Sequence, residues 1–116
     1  MAREYIIPAA AVTLANQAVS VIFVNPGTTL SLEILRAYAS QAANATSAQQ
    51  RVQLSTQVTA FPTLVSQAPV VLKQRDPVSA ITGGTAGAAG TSGINASAEG
   101  AGAKTVVIPD SFNVLN

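Results

Sequence analysis

The sequence predicts an all-β protein, namely an antiparallel β-sandwich of jelly-roll type with a long Gly/Ala/Ser/Thr-rich loop, formed as one domain over residues 1–116. Residues 19–24 are a β-branched, apolar run that ends at the turn signal Asn25-Pro26-Gly27. Residues 51–59 alternate between apolar and polar side chains, which is typical of a half-exposed antiparallel strand. Further short strand patterns, separated by turn residues, favour a sandwich.

The chain begins with an apolar segment, residues 5–14, that Pro8 interrupts. Because proline cannot donate to a β-ladder, we expect residues 1–14 to form an extended N-terminal arm without regular internal pairing. Such an arm is suited to adding a strand to the open sheet edge of a neighbouring copy.

The next apolar segment, residues 29–40, fits two patterns. Its first half alternates apolar with polar residues, which indicates a strand, whereas the residues from Leu32 onward also follow a helical spacing. We favour a strand for residues 29–34, because the neighbouring strands need a partner. Helix or strand stays open for residues 35–45.

The remaining segments are expected to be loops and short strands. Residues 41–50 are small and polar and predict a loop, whereas residues 69–72 and 105–108 predict short strands. Residues 81–103 hold seven of the eight glycines and a single charged residue, Glu99. Small neutral residues bury too little apolar area to offset an ordering entropy of roughly 1–2 kcal/mol per residue. We therefore expect residues 81–103 to be a flexible loop outside the core.

The expected core follows from the inward positions of these strands. Strand residues with β-branched, aliphatic or aromatic side chains pack well on a half-buried sheet. The core is predicted to contain Val19, Val21, Phe23, Leu30, Leu32, Ile34, Val52, Leu54, Val58 and Val106.

The composition argues against catalysis. The chain has no histidine, no cysteine and no tryptophan, and its six basic and five acidic residues are scattered singly. Catalysis and structural metal binding near neutral pH rely mainly on histidine, thiolate and perturbed carboxylates. A net charge of +1 does not create the field that gathers nucleic acid or anionic lipid. We expect no enzyme activity and no cofactor.

Glycine patterns within the loop do not specify a site. Glycine recurs every third residue over residues 84–93, but three triplets without proline do not specify a collagen-like helix. Residues 100–105 resemble a phosphate-binding loop only loosely, because Ala103 precedes Lys104 where that motif requires glycine.

Other candidate sites are equally weak. The sequons Asn44-Ala45-Thr46 and Asn95-Ala96-Ser97 fall in expected surface loops and are ascribed to chance. Lys104 and Ser111 have the residue types of a nucleophilic pair, but a separation of seven residues does not specify one. An acid-dependent hydrolase would require two carboxylates to converge in one cleft. The candidates for such a pair are Glu4, Glu33, Asp76, Glu99 and Asp110. We assign no catalytic, cofactor-binding or metal-binding residue.

Short motifs along the chain resemble a family of small tailed-phage virion proteins. They are the opening Met1-Ala2-Arg3-Glu4-Tyr5, the segment Leu32-Glu33-Ile34-Leu35-Arg36, the strand Arg51-Val52-Gln53-Leu54 and the closing Asp110-Ser111-Phe112-Asn113-Val114, with a Gly/Thr/Asn tract before the last. Family members continue after the closing motif with a Gly-Trp turn and further strands, whereas this sequence ends at Asn116.

The resemblance implies a β-sandwich structural protein that decorates or cements the phage head. The expected partners are the major capsid protein and further copies of the chain, with a trimer favoured, on the outer capsid surface after assembly in the host cytoplasm. No nucleic acid or membrane partner is expected, and the apolar run 18–24 is about a third of a bilayer-spanning length. The alternative is a tail- or fibre-associated adhesin that binds host-surface glycans. The sequence does not separate head from tail.

Overall fold

A computed structural model describes residues 3–10, 20–40 and 49–113. Regular structure in these residues is entirely β, without a helix, and most strand pairs are antiparallel. The expected all-β class is therefore confirmed. The strands are β1 (Tyr5–Ile6), β2 (Ile22–Asn25), β3 (Gln49–Gln57), β4 (Thr63–Ser66), β5 (Val70–Val71), β6 (Thr82–Gly83), β7 (Thr91–Ala98) and β8 (Lys104–Asn113).

The chain divides into two compact units. The sheet unit comprises Met1–Leu32 and Ala60–Ala101, and the ribbon unit comprises Glu33–Thr59 and Gly102–Asn116. The sheet unit contains β1, β2 and β4 to β7, and the ribbon unit contains β3 and β8.

β7 is the central strand of the sheet unit. It pairs antiparallel with β2 and β4 and parallel with the short β6. Asn95 has a positive φ of 49°, and the register between β4 and β7 shifts beside it, from Val65 opposite Ile94 to Thr63 opposite Ala98. A left-handed residue inside a strand marks a bulge, and asparagine is one of the residues that tolerate it.

The glycine-rich tract 81–103 therefore does not lie outside the core, and that prediction is wrong. The tract supplies β6 and β7, and Ser92, Gly93 and Ala96 of β7 are buried. Small side chains carry no hydropathy period, so the sequence pattern resembled a loop. The same small side chains allow neighbouring backbones to approach closely, which makes the tract a centre of packing.

Gly93 shows how close this approach is. A Cβ atom at Gly93 would lie 2.7 Å from the Cβ of Leu64 and 2.8 Å from the carbonyl oxygens of Gly84 and Val65. Two of these three atoms belong to the backbone and cannot move away cheaply. Only glycine fits this position of β7.

The sheet unit also contains an aromatic pair, Phe23 and Phe61. The rings of Phe23 and Phe61 are tilted by 49° with centroids 5.7 Å apart, which is a favourable aromatic geometry. Gly87 packs beside them, since a Cβ there would lie 2.6 Å from the Cβ of Phe61 and its φ of +62° already favours glycine. The turn at Asn25-Pro26-Gly27 forms as expected, with the N–H of Gly27 donating to Oδ1 of Asn25 over 2.9 Å.

The N-terminal arm pairs within the chain where it is described. Tyr5 and Ile6 form β1 against β5, and the Tyr5 hydroxyl donates to the carbonyl oxygen of Pro77 over 3.2 Å. The expectation that Pro8 would keep the arm from internal pairing is therefore wrong for these two residues. The ladder does end before Pro8, and residues 11–14 lie outside the described part.

Residues 29–40 form neither the favoured strand nor the alternative helix over their length. They have no regular secondary structure, and the strand expected for residues 29–34 is wrong. Leu32 is 45% exposed and Ile34 51% exposed, so neither is a core residue. Residues 41–45 lie outside the described part.

The ribbon unit is built on two long strands. β3 and β8 pair antiparallel from Gln49 opposite Asn113 to Gln57 opposite Lys104, with an irregularity between Leu54 and Ser55. Leu54 stands opposite Ile108 and Ser55 opposite Val106, so β8 contains one extra residue, Val107. The short strand predicted over residues 105–108 is confirmed but is longer than expected, since β8 continues through Pro109 to Asn113. Proline is tolerated here because β8 is an edge strand.

The predicted core is wrong for most of its members in the ribbon unit. Val58 lies just beyond β3 and is 82% exposed, and Val52 and Val106 are also exposed. Leu54 is half-buried, as are Phe23 and Leu30 in the sheet unit. Val21 is exposed, and Val19 lies outside the described residues. Half of the ten residues expected in the core belong to the ribbon unit, whose two paired strands leave apolar side chains exposed.

Candidate interaction surface

The ribbon unit exposes the side chains that a folded domain normally buries. None of its described side chains is buried. Its longest apolar stretch, Val106-Val107-Ile108, is exposed throughout, with Ile108 at 56%. Two-stranded ribbons are at best marginally stable in water without a third strand or a packing partner. The ribbon is therefore the part of the molecule that most needs a partner.

The two edges of the ribbon differ. β8 carries an extra residue at Val107 and a proline at position 109, and both features hinder the addition of another strand. β3 contains neither a bulge nor a proline across its nine residues, and its only charged residue is Arg51. In the described part of the chain β3 has β8 as its only strand partner. The edge of β3 is thus the more regular of the two for pairing with another strand.

A second exposed segment precedes β3. Residues 33–40 are all exposed and irregular, and among them Leu35 is 62% exposed. Tyr38 is 83% exposed, and its hydroxyl accepts a hydrogen bond of 3.1 Å from Nη1 of Arg36.

The structure separates the serine and lysine that were considered as a nucleophilic pair. Lys104 and Ser111 lie on the same strand, β8, seven residues apart. At about 3.3 Å per residue, their Cα atoms are roughly 23 Å apart along the strand, which is far beyond hydrogen-bonding reach.

Glu99 is the carboxylate with the clearest structural role. Its Oε2 accepts a hydrogen bond of 2.8 Å from the Ser20 hydroxyl, and its Oε1 accepts one from the Ser20 backbone N–H. Glu99 thereby holds the start of the β2 region against the end of β7. Among the described residues no group of three or more acidic side chains converges in a way that could hold a metal ion.

The glycine motif at residues 100–105 and the sequon at Asn95 both lie in structured parts of the sheet and ribbon strands or their connections. Gly100 has a left-handed φ of +72° and packs against the backbone of Ala60 and Phe61. Asn95 lies within β7 rather than in a surface loop, so the expected setting of that sequon is wrong. The other sequon, at Asn44, lies outside the described residues.

The sequence pattern does not predict that one edge of β3 has no strand partner in the described part of the chain. The alternation in residues 51–59 correctly indicated a strand with a polar and an apolar face. It was interpreted as one strand of a closed sandwich, whereas the structure gives it one partner, β8.

No helix in the described part of the chain is long and apolar enough to cross a membrane. Comparison of the chain with protein-family models, with curated proteins and with solved structures gave no match.

Proposed function

We propose that the protein is a phage virion structural protein, a decoration or cement protein that binds the major capsid protein on the outside of the head. The resemblance of its short motifs to tailed-phage virion proteins supports this role. The composition supports it too, because a chain without histidine or cysteine has little material for chemistry and acts more readily through contact.

The observation that carries the proposal is the exposed ribbon. Its strands span about 30 Å at 3.3 Å per residue and expose apolar side chains at Val52 and at residues 106–108. Fully burying one aliphatic side chain of this size contributes roughly 1.5–3 kcal/mol. Even partial burial of Val106, Val107 and Ile108 against a shell would therefore stabilise attachment.

The low charge of the chain suits the same role. Charged residues make up 9% of the sequence, so contacts with a shell would be mainly apolar and neutral polar. Such contacts are screened little by salt. We expect attachment to persist at high ionic strength.

The antiparallel sandwich of jelly-roll type belongs to this proposal. In the described part of the chain the ribbon has no further strands to complete a second sheet, and strands from neighbours would supply them. The proposed assembly is a homo-oligomer, with a trimer favoured.

The test is to locate the protein in purified particles. Mass spectrometry of separated heads and tails should detect it in heads, and heads lacking it should lose their genome at lower temperature or after osmotic shock. Presence in tails alone, or absence from both fractions, would contradict the role.

Two matched variants examine the surface itself. Val107→Lys should lower the occupancy of the protein on heads, because it places a charge in the exposed apolar stretch. Val78→Lys makes the same change at a valine of the sheet unit that is still more exposed, 85% against 55% for Val107, and should leave occupancy unchanged. Equal occupancy of both variants would remove the ribbon from the contact.

The exposure of Tyr38 favours one competing role. An exposed aromatic ring is a common platform for sugar binding, which fits the glycan-binding adhesin. Reproducible binding on a glycan array that Tyr38→Ala abolishes would support the adhesin over the decoration protein.

A further inference from the structure

We propose that the edge of β3 opposite β8, which has no strand partner in the described part of the chain, pairs antiparallel with β3 of a second copy, about a two-fold axis at Gln53. This contact deepens the self-association within the proposed function and rests on that part of it. The occupant is a second copy, as the following observations argue.

The first observation is the position of Gln53 in the ladder with β8. Gln53 stands opposite Pro109, which has no N–H to donate. Proline is accommodated where the backbone groups of the opposite residue point away from the pair. The N–H and C=O of Gln53 then face the edge of β3 opposite β8, together with those of Arg51 and Ser55, two positions away. These groups form a regular row of donors and acceptors.

The second observation is that β3 is complementary to itself. Gln53 is the middle residue of the nine in Gln49–Gln57, so only a register centred there overlaps the whole strand with its copy. In this register Val52 stands opposite Leu54 of the second copy, and Leu54 opposite Val52. Arg51 stands opposite Ser55, so the one charged residue of the strand does not meet its own copy across the ladder. Apolar residues therefore meet apolar residues, and like charges are kept apart.

The pairing would stabilise the ribbon, which as a two-stranded sheet is only marginally stable by itself. Two ribbons joined through β3 form a four-stranded sheet in the order β8, β3, β3, β8. A sheet of three or more strands with an apolar face is stable where a lone pair is marginal. Val52 and Leu54 from both copies would then lie side by side on one face of this sheet.

The symmetry of the contact separates it from a trimer interface. A two-fold contact uses the same surface on both copies, whereas a three-fold ring uses two different surfaces. The β3 contact can therefore form a dimer or join two trimers, and its test does not depend on the total number of copies.

Cysteine cross-linking tests the register directly, because the native chain has no cysteine. In full-length Gln53→Cys the two new thiols would face each other across the axis. Mild oxidation should convert this variant into a disulfide-linked dimer on a non-reducing gel.

Two control variants examine the same contact. Ser55→Cys lies on the same face of β3, but its copies would be about 13 Å apart, at roughly 3.3 Å per residue. Its oxidation should be slower by about tenfold or more, since a disulfide requires Cα atoms within about 7 Å. An equimolar mixture of Arg51→Cys and Ser55→Cys should cross-link again, because these residues stand opposite each other.

A charge swap provides an independent measurement. Gln53→Lys and Gln53→Glu should each sediment as a smaller species than the native protein, since like charges would meet at the axis. Mixing the two variants should restore the native sedimentation coefficient. This readout does not require oxidation and reports on the assembled protein in solution.

The outcomes are distinguishable. Equal cross-linking of Gln53→Cys and Ser55→Cys, preferential cross-linking of Val107→Cys on the β8 edge, or a native protein that sediments as a monomer would overturn the β3 contact. A confirmed cross-link in a protein absent from purified heads would overturn the decoration role and leave the β3 contact standing.

Discussion

The central strand of the sheet unit and the strands of the ribbon unit differ in which side chains they bury. The sheet unit buries Ser92, Gly93 and Ala96 in its central strand, around which three further strands pair. The ribbon unit contains valine, leucine and isoleucine on two long strands, yet none of its described side chains is buried. Small residues of β7 are thus buried, together with Pro62 and Leu64 of the sheet unit, whereas the larger aliphatic residues of the ribbon unit lie on the surface.

The difference shows that burial depends on how many backbone segments meet around a residue. In the sheet unit, the carbonyl oxygen of Ser92 accepts bonds from the N–H groups of Gly84 and Gln67, while its own hydroxyl donates to Gln67. In the ribbon unit, the described chain supplies two strands and little to cover them. In the sheet unit, segments of the same chain surround the central strand. In the ribbon unit, we propose that a neighbouring copy supplies the strands that are missing.

The strongest test of this comparison is Gly93→Ala. The added Cβ would lie 2.7–2.8 Å from Leu64, Gly84 and Val65, so the strands around β7 would have to separate. We expect the free energy of unfolding to fall by about 3 kcal/mol or more, at the upper end of overpacking costs. Chemical denaturation followed by circular dichroism measures it.

Gly90→Ala is the matched control. Gly90 has a φ of +76°, but no atom lies within 4 Å of a Cβ placed there. Its cost should be limited to the left-handed backbone, about 1–2 kcal/mol. Equal losses for the two variants would show that close packing around Gly93 does not stabilise the sheet unit.

A smaller loss is expected from Ser92→Ala. The Ser92 hydroxyl is fully buried and donates to the carbonyl oxygen of Gln67 over 2.6 Å. Removing it leaves a carbonyl with one donor fewer, which costs about 1–2 kcal/mol. Ser97→Ala, at an exposed position of the same strand, should change stability little, and an equal loss there would contradict the buried role of Ser92.

The smallest change in the free energy of unfolding is expected for a substitution in the ribbon unit. Val58→Ser removes an apolar side chain that the sequence pattern placed in the core but that is 82% exposed. We expect the free energy of unfolding to stay within about 0.5 kcal/mol of the native value. A loss of the size expected at Gly93 would show that Val58 is covered in the folded protein.

Part of the fold could be predicted from the sequence. The β class, the turn after Val24 and the strands at residues 51–57 and 105–108 are confirmed, because β-branched alternation and turn residues are local signals. β6 and β7 could not be predicted, because glycine, alanine and serine pack through the backbone and carry no hydropathy period. The irregular course of residues 29–40 could not be predicted either, since their alternation has no partner strand in the described chain.

The candidate surface was predictable only in outline. The shortage of charge and of catalytic residue types indicated a protein that acts through contact. The location of the contact required the topology. The irregularity in β8 and the pairing of Pro109 with Gln53 distinguish the two ribbon edges, and neither can be read from the pattern of residues alone.

The pairing of β2 with β7 also implies a delay during synthesis, because β2 is made well before the strand with which it pairs. Ser20 and Glu99, which close this part of the sheet unit, are 79 residues apart. At a synthesis rate of about 5–20 residues per second, the β2 region waits roughly 4–16 s before its partner has been made. During that interval Phe23 and its neighbours have no sheet to join, so a nascent chain is open to chaperones or to other nascent chains. Slower translation would prolong this exposure. β3 waits only somewhat less, because 47 residues separate Gln57 from Lys104 and 64 separate Gln49 from Asn113.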